Sequence, residues 1–201
     1  LSFIPPLALS VFYDEPLSGI FLYSFLFLIT LGCLLWFTSR QKSLLLNISD
    51  GFIITTMFWV VLAFAGSIPF YFFGLNANDA IFESVSGITT TGATVIVGLD
   101  ELPKSLLLYR QLLQWIGGMG LIILAVAVMP TLGIGGGQLY KMELPGSHGN
   151  QRLTPKITDS AKALWKIYFG LTIICALLYL LSGMNLFDAI AHSLSTVAGG
   201  G

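Results

Sequence analysis

Apolar residues run through this chain in four stretches, at 17–37, 52–73, 106–129 and 163–181. Each is close to the ~20 residues a helix needs to cross a bilayer. The polar segments between them are short and often carry Gly or Pro. Two further apolar segments, 77–88 and 186–197, are too short to span and predict helices of roughly three turns. Short helices of this kind in a membrane protein are expected to be re-entrant. Residues 1–12 are also apolar and include Pro5-Pro6. They read as the end of a first transmembrane helix rather than a signal-peptide remnant. The chain stops on Gly199-Gly200-Gly201 in the middle of a motif, so the expectation is a sequence belonging to something longer.

Composition supports lipid as the solvent. Hydrophobic residues make up 55% of the 201 and charged residues only 9%, with a mean hydropathy of +0.86. Soluble domains carry roughly 25% charged residues. A chain this poor in charge cannot cover a watery surface, and the class is an all-α polytopic membrane protein. A net charge of −1 offers no case for nucleic acid. Cys33 and Cys175 both fall inside apolar spans, which argues against a disulfide scaffold.

Charge placement orients the spans. Arg40, Lys42, Lys141, Arg152, Lys156, Lys162 and Lys166 lie on one side, and Lys104 and Arg110 on the other. The positive-inside rule makes the first side cytoplasmic. Asp14, Glu15, Asp79, Glu83, Asp100 and Glu101 then fall on the external side, and both short helices start from there.

The chain also repeats itself. The segment GLNANDAIFESVSGITTTG from Gly74 to Gly92 recurs as GMNLFDAIAHSLSTVAGGG from Gly183 to Gly201, at a constant offset of 109 residues. Eight of nineteen positions are identical without a gap. Each copy follows a full span and ends in a Thr/Gly-rich exit, and the first continues into another span. The unit is membrane helix, short helix, small-residue loop, membrane helix. Units with the same inside–outside sense are related by an axis along the membrane normal.

The loops at 89–94 and 197–201 are then expected at membrane depth, where non-helical backbone survives only against protein or a wet cavity. Glycine permits backbone conformations other residues resist. Such loops can turn carbonyls toward an axis and replace the hydration shell of an alkali cation. The C-terminal end of each short helix adds negative potential at the same place. Thr89 and Thr94 are supporting hydroxyls that ligate or brace.

Four segments carry a family resemblance: SGITTTGAT, YRQLLQWIGGMG, GGGQLYKMELPG and LTPKITDSAKALWKIY. They resemble the membrane subunit of bacterial Trk-type potassium uptake systems, in a superfamily with Ktr and plant HKT transporters. The resemblance implies four membrane–pore–membrane units around one ion path, preceded by two extra helices. It assigns 1–46 to those extra helices, 47–140 to the first unit, 141–158 to a cytoplasmic linker and 159–201 to part of a second unit. It implies K+, with Rb+ or Na+ as possible substitutes, coordinated by backbone around Thr90, Thr91 and Gly92, and around Gly199, Gly200 and Gly201. No cofactor is implied beyond the bound K+. The resemblance further implies a homodimer, a cytoplasmic nucleotide-binding regulatory subunit facing Lys141, Arg152 and Lys156, and residence in the bacterial inner membrane.

Other residues are read on their own chemistry. Charges inside a membrane protein pair, so Glu83 is expected to bridge to Arg110. Arg110 and Gln114 share one helix face, which should look toward protein. Gly117, Gly118 and Gly120 permit close helix packing against the short helix. The four tryptophans read as interfacial anchors or packing groups. His192 reads as a hydrogen-bonded histidine behind the second loop, not as a catalytic partner of Ser193 or Ser195. Residues 133–141, GIGGGQLYK, lack the Gly-Lys-Ser/Thr closure of a phosphate loop. A secondary transporter for a small organic solute is the alternative function, and it would require charged or aromatic groups converging on the loops.

Overall fold

The computed structural model describes residues 2–38, 48–123 and 153–200, and all regular structure in them is helical. Helix α1 spans Ile4–Phe12 with Pro at its first positions, where a missing N–H leaves no bond unmade. Helices α2 (Ser18–Thr38) and α3 (Ile48–Phe73) follow. A short helix α4 covers Ala77–Ile88, and a single 3-10 turn lies at Leu99–Glu101. Next come α5 (Lys104–Ile123), α6 (Leu153–Leu181) and a second short helix α7 (Leu186–Ala198).

Both short helices lie where the hydrophobic pattern placed them, and the same device starts each one. Asn76 accepts the backbone N–H of Asp79 at 2.9 Å, and its amide donates to the Asp79 carboxylate at 2.6 Å. Asn185 and Asp188 repeat both bonds, at 2.9 and 2.5 Å. An Asn N-cap satisfies an orphan helix donor, and an acidic residue in the first turn meets the positive end of the dipole.

One boundary differs from the sequence reading. Helix α6 begins at Leu153, ten residues ahead of the apolar stretch and inside the segment read as linker at 141–158. Hydropathy registers only the bilayer-thick part of a helix, and polar turns projecting into water leave no such signal. The stretch 106–129 is helical through Ile123. Its remainder lies outside the described residues, as do Arg40, Lys42, Lys141, Arg152 and the glycine-rich segment 133–141.

Among the described residues, three segments are long and apolar enough to cross a membrane: Ser18–Thr38, Thr55–Phe73 and Lys162–Leu181, with mean hydropathies of 2.3, 1.7 and 1.9. Only 11%, 22% and 11% of these windows are buried within the chain. Large apolar side chains such as Leu34, Phe37, Val61, Phe64, Leu178 and Leu181 point outward. Glu83, Arg110, Gln114, Ser84 and Ser195 are buried. Apolar outside and polar inside is the arrangement lipid selects, because intramembrane polar groups must find protein partners.

Helix α5 is less apolar and sits at the centre, packed on α1, α4 and α7. Its Tyr109 is fully buried and meets the rings of Phe3, Phe21 and Phe70 at centroid distances of 5.4, 5.5 and 5.3 Å. Residues of α2 and α3 and the N-cap of α1 thus converge on one side chain of α5. Each such ring pair is worth about 0.5–1.5 kcal/mol beyond its buried area. The Tyr109 hydroxyl donates to the Gly66 carbonyl at 2.9 Å, one turn before Pro69 interrupts the α3 ladder. The Glu15 carboxylate accepts the backbone N–H groups of Lys104 and Ser105 at 2.8 and 3.2 Å. It caps α5 from the turn between α1 and α2.

Candidate functional site

The two short helices end in the same way. After α4, Thr90 N–H bonds to the Gly87 carbonyl and Thr91 N–H to the Ser86 carbonyl, both at 3.0 Å. After α7, Gly199 N–H bonds to Thr196 O at 3.1 Å and Gly200 N–H to Ser195 O at 3.0 Å. This paired pattern is the Schellman motif, which needs a left-handed residue just past the helix. Gly199 fills that position at φ 81° without cost. Its repeat equivalent is Thr90, held at φ 57°. A β-branched residue there is strained, and such strain persists only where surroundings enforce it. The glycine that distinguishes the second copy therefore occupies the position whose backbone most favours glycine.

The first loop is held from behind by its own short helix. Ser86 Oγ donates to the Ala93 carbonyl at 2.6 Å. Glu83 Oε1 accepts from the Thr94 hydroxyl at 2.5 Å and from the Val95 N–H at 2.8 Å. Glu83 Oε2 takes Arg110 Nε at 3.0 Å, with both side chains almost wholly buried. The expected bridge is present, and it does more than join helix to span, because the same carboxylate clamps the loop exit. Thr94 thus braces the loop. Thr89 donates to the Val85 carbonyl and lies 2.8 Å from the Thr91 hydroxyl.

The two loops meet backbone to backbone. Gly92 lies so close to the Gly200 carbonyl that a Cβ on Gly92 would overlap it. At φ 74°, Gly92 meets both a conformational and a steric demand for glycine. A Cβ on Gly200 would lie 3.3 Å from the Thr90 carbonyl oxygen. Gly200 thus lies against both Gly92 and the Thr90 carbonyl where the loops touch. Of the residues expected to coordinate an ion, Thr90, Gly92 and Gly200 share one junction. Thr91 and Gly199 flank it in sequence, and Gly201 lies outside the described residues.

Helix α5 makes this meeting possible. A Cβ on Gly117 would strike the Ile88 carbonyl at the end of α4. A Cβ on Gly118 would lie 3.2 Å from Ala198 Cα at the end of α7. Adjacent glycines on one helix let the ends of both short helices press against it. Sequence reading expected contact with one short helix, and the structure gives both. A cavity of about 170 Å³ opens at the end of α4, lined by Trp59, Ile88, Thr89, Thr90 and Gly117. Trp115 packs against Trp165 and Tyr168, and its Nε1–H donates to Thr172 Oγ1 at 3.0 Å.

Gln114 was placed on a protein-facing side of α5 with Arg110, and both are buried. Its position against Gly200 escaped the sequence reading, although the four-residue spacing from Arg110 pointed along that face. His192 departs from expectation. Its ring is exposed and stands tilted to Tyr179 at 6.3 Å, and among the described residues no side-chain hydrogen bond reaches it. Ser193 and Ser195 take the buried face of α7, which turns His192 outward. The two serine hydroxyls donate to the carbonyls of Ile190 and His192, not to the imidazole. Among the described residues, no group of three His, Cys, Asp or Glu side chains could hold a metal ion.

Comparison with known proteins gives the family. The family model described as TrkH, cation transport protein, matches residues 18–201. The Trk system potassium uptake protein TrkH of Vibrio parahaemolyticus is 50% identical, over 100% of this chain and 42% of that protein. The Trk system potassium uptake protein TrkG of Escherichia coli is 45% identical, again over 100% of this chain and 42% of that protein. The crystal structure of the potassium transporter TrkH from Vibrio parahaemolyticus superposes with a TM-score of 0.80 at 47% identity. That match covers 96% of this chain and 39% of the other. The chain therefore belongs to the TrkH family of cation transport proteins. It spans about two fifths of the length of the relatives it matches.

Proposed function

We propose that this chain supplies the first part of a potassium-selective permease of the bacterial inner membrane. In this reading K+ passes through a filter of backbone carbonyls at the ends of re-entrant short helices. Residues 1–46 are the extra helices, 47–140 the first membrane–pore–membrane unit, 141–158 a linker that runs into α6, and 159–201 part of the second unit. The ligands are the carbonyls around Thr90, Thr91 and Gly92, and those around Gly199, Gly200 and Gly201. Carbonyl dipoles exchange for the hydration shell of the ion at little energetic difference, so the ion enters and leaves readily. The negative ends of α4 and α7 favour a cation at the junction.

The observation that carries this reading is the contact of the two loops at Gly92 and Gly200, each loop leaving its helix through the same left-handed turn. The buried charges nearby, Glu83 and Arg110, are spent on each other and on the loop exit. What the loops offer toward each other is backbone and small side chains, which suits a bare cation better than an organic solute. The potassium uptake named for the relatives agrees. By family resemblance, the working form is a homodimer with a cytoplasmic nucleotide-binding subunit near Lys141, Arg152 and Lys156.

The test is cation flux by the complete polypeptide in liposomes, comparing Rb+ with Na+ in wild type and in Gly92→Ser. Faster Rb+ flux that loses its preference in the variant supports the filter. Unchanged selectivity in a folded variant moves the solute-transporter reading ahead.

A further inference from the structure

Gln114 is 4% exposed, and among the described residues its Oε1 has no hydrogen-bond partner. A buried amide acceptor without a donor is costly, so its position calls for a reason. That oxygen is aimed at the loop junction. A Cβ added to Gly200 would overlap Gln114 Oε1 and lie 2.9 Å from Cδ. The same Gly200 carries the carbonyl that touches Gly92 and lies beside the Thr90 carbonyl. The N–H of Gly200 is already given to Ser195, so the amide does not bond there. Four residues earlier on α5, Arg110 holds Glu83, which clamps the exit of the first loop. One face of α5 therefore reaches the first loop through Arg110 and Glu83, and the second loop through Gln114.

We propose that Gln114 is a positioning residue for ion selectivity: its side-chain amide sets how closely the second loop approaches the first at Gly200. The proposal rests on the filter reading above. The amide is a rigid spacer whose oxygen abuts the Gly200 backbone. Discrimination between alkali cations depends on the spacing and number of carbonyls around the ion. A side chain that fixes the gap between two carbonyl-bearing loops acts on selectivity more than on total throughput.

The test uses the complete polypeptide in liposomes and reads the Rb+/Na+ flux ratio, total cation flux and the melting temperature in detergent. Gln114→Met keeps the length but replaces the planar amide abutting Gly200 with a flexible thioether chain. The expected result is a loss of about tenfold in the ratio, equal to about 1.4 kcal/mol, with melting temperature and total flux close to wild type. Gly200→Ala drives a methyl into the amide from the other side and is expected to lose both selectivity and total flux. Combining Gly200→Ala with Gln114→Ala makes room for the methyl and should recover part of its lost flux, as contacting residues do in a double-mutant cycle. A selective wild type whose ratio survives Gln114→Met overturns the proposal but leaves the filter reading standing. So does a Gly200→Ala defect that Gln114→Ala leaves untouched. A wild type that does not prefer Rb+ overturns the filter reading and this inference with it. If Gln114→Met does not fold, the Gly200→Ala pair decides the matter alone.

Discussion

Replacing Glu83 with Gln tests how the first loop is held. One carboxylate serves three donors: the Thr94 hydroxyl, the Val95 N–H and Arg110 Nε. The amide is nearly isosteric, so no cavity forms. It has one acceptor oxygen where the carboxylate has two. Whichever way it turns, its NH2 faces either the Arg110 Nε–H or the loop donors, and one hydrogen bond becomes a donor–donor clash. Arg110, 7% exposed, is left buried without its counter-ion. Breaking a buried pair from one side costs about 3–5 kcal/mol. At the lower end of that range, about 3 kcal/mol corresponds to roughly 6–12 °C in melting temperature for a cooperative unit of this size. The assay is thermal unfolding of the complete polypeptide in detergent, followed by tryptophan fluorescence. The cycle is closed with Arg110→Met and the double variant. Removing both charges together leaves no uncompensated ion, so the double variant should melt above Glu83→Gln alone, with a coupling of about 0.5–3 kcal/mol. A Glu83→Gln protein that melts like wild type, or a strictly additive cycle, refutes the reasoning.

Five other substitutions follow from the same geometry. Gly117→Ala places a methyl against the Ile88 backbone carbonyl and should destabilise by about 1–3 kcal/mol. Gly120→Ala meets only the edge of Trp59 at 3.4 Å and should melt close to wild type. Asn76→Ala and Asn185→Ala each remove an N-cap and should cost about 1 kcal/mol in the same melts, with additive effects because the sites lie on different helices. Thr90→Gly relieves a left-handed β-branched residue and should raise stability by about 1 kcal/mol; a lower melting temperature would show that Thr90 makes a stabilising contact that outweighs its strain.

Much of the architecture could be read from the chain because bilayer thickness and helix rise translate directly into apolar run length. A second signal for the short helices was in the chain but went unread. Asn76 with Asp79, and Asn185 with Asp188, are local capping signals, and they recur at a fixed offset. The Glu83–Arg110 bridge was legible because two charges in an apolar setting must pair. What sequence could not supply was anything set by three-dimensional approach. The close approach of Gly92 to the Gly200 carbonyl joins residues 108 apart in the chain. Gln114 reaches that junction from a third element. The hold of Glu83 on Thr94 and Val95 depends on the loop folding back along its own helix. His192 was misplaced because repeat equivalence with Glu83 fixed its position on the helix. It did not fix a partner, and the buried face of α7 belongs to Ser193 and Ser195.

The most direct test of the filter is to locate the ion. Crystals of the complete polypeptide would be soaked in Rb+, and anomalous difference density examined around the loop junction. The account predicts a peak within coordination distance of the carbonyl oxygens around Thr90, Thr91 and Gly92 and of Gly199 to Gly201, weakened or lost in Gly92→Ser. Rb+ density elsewhere in the membrane region, with none between the two loops, would contradict it.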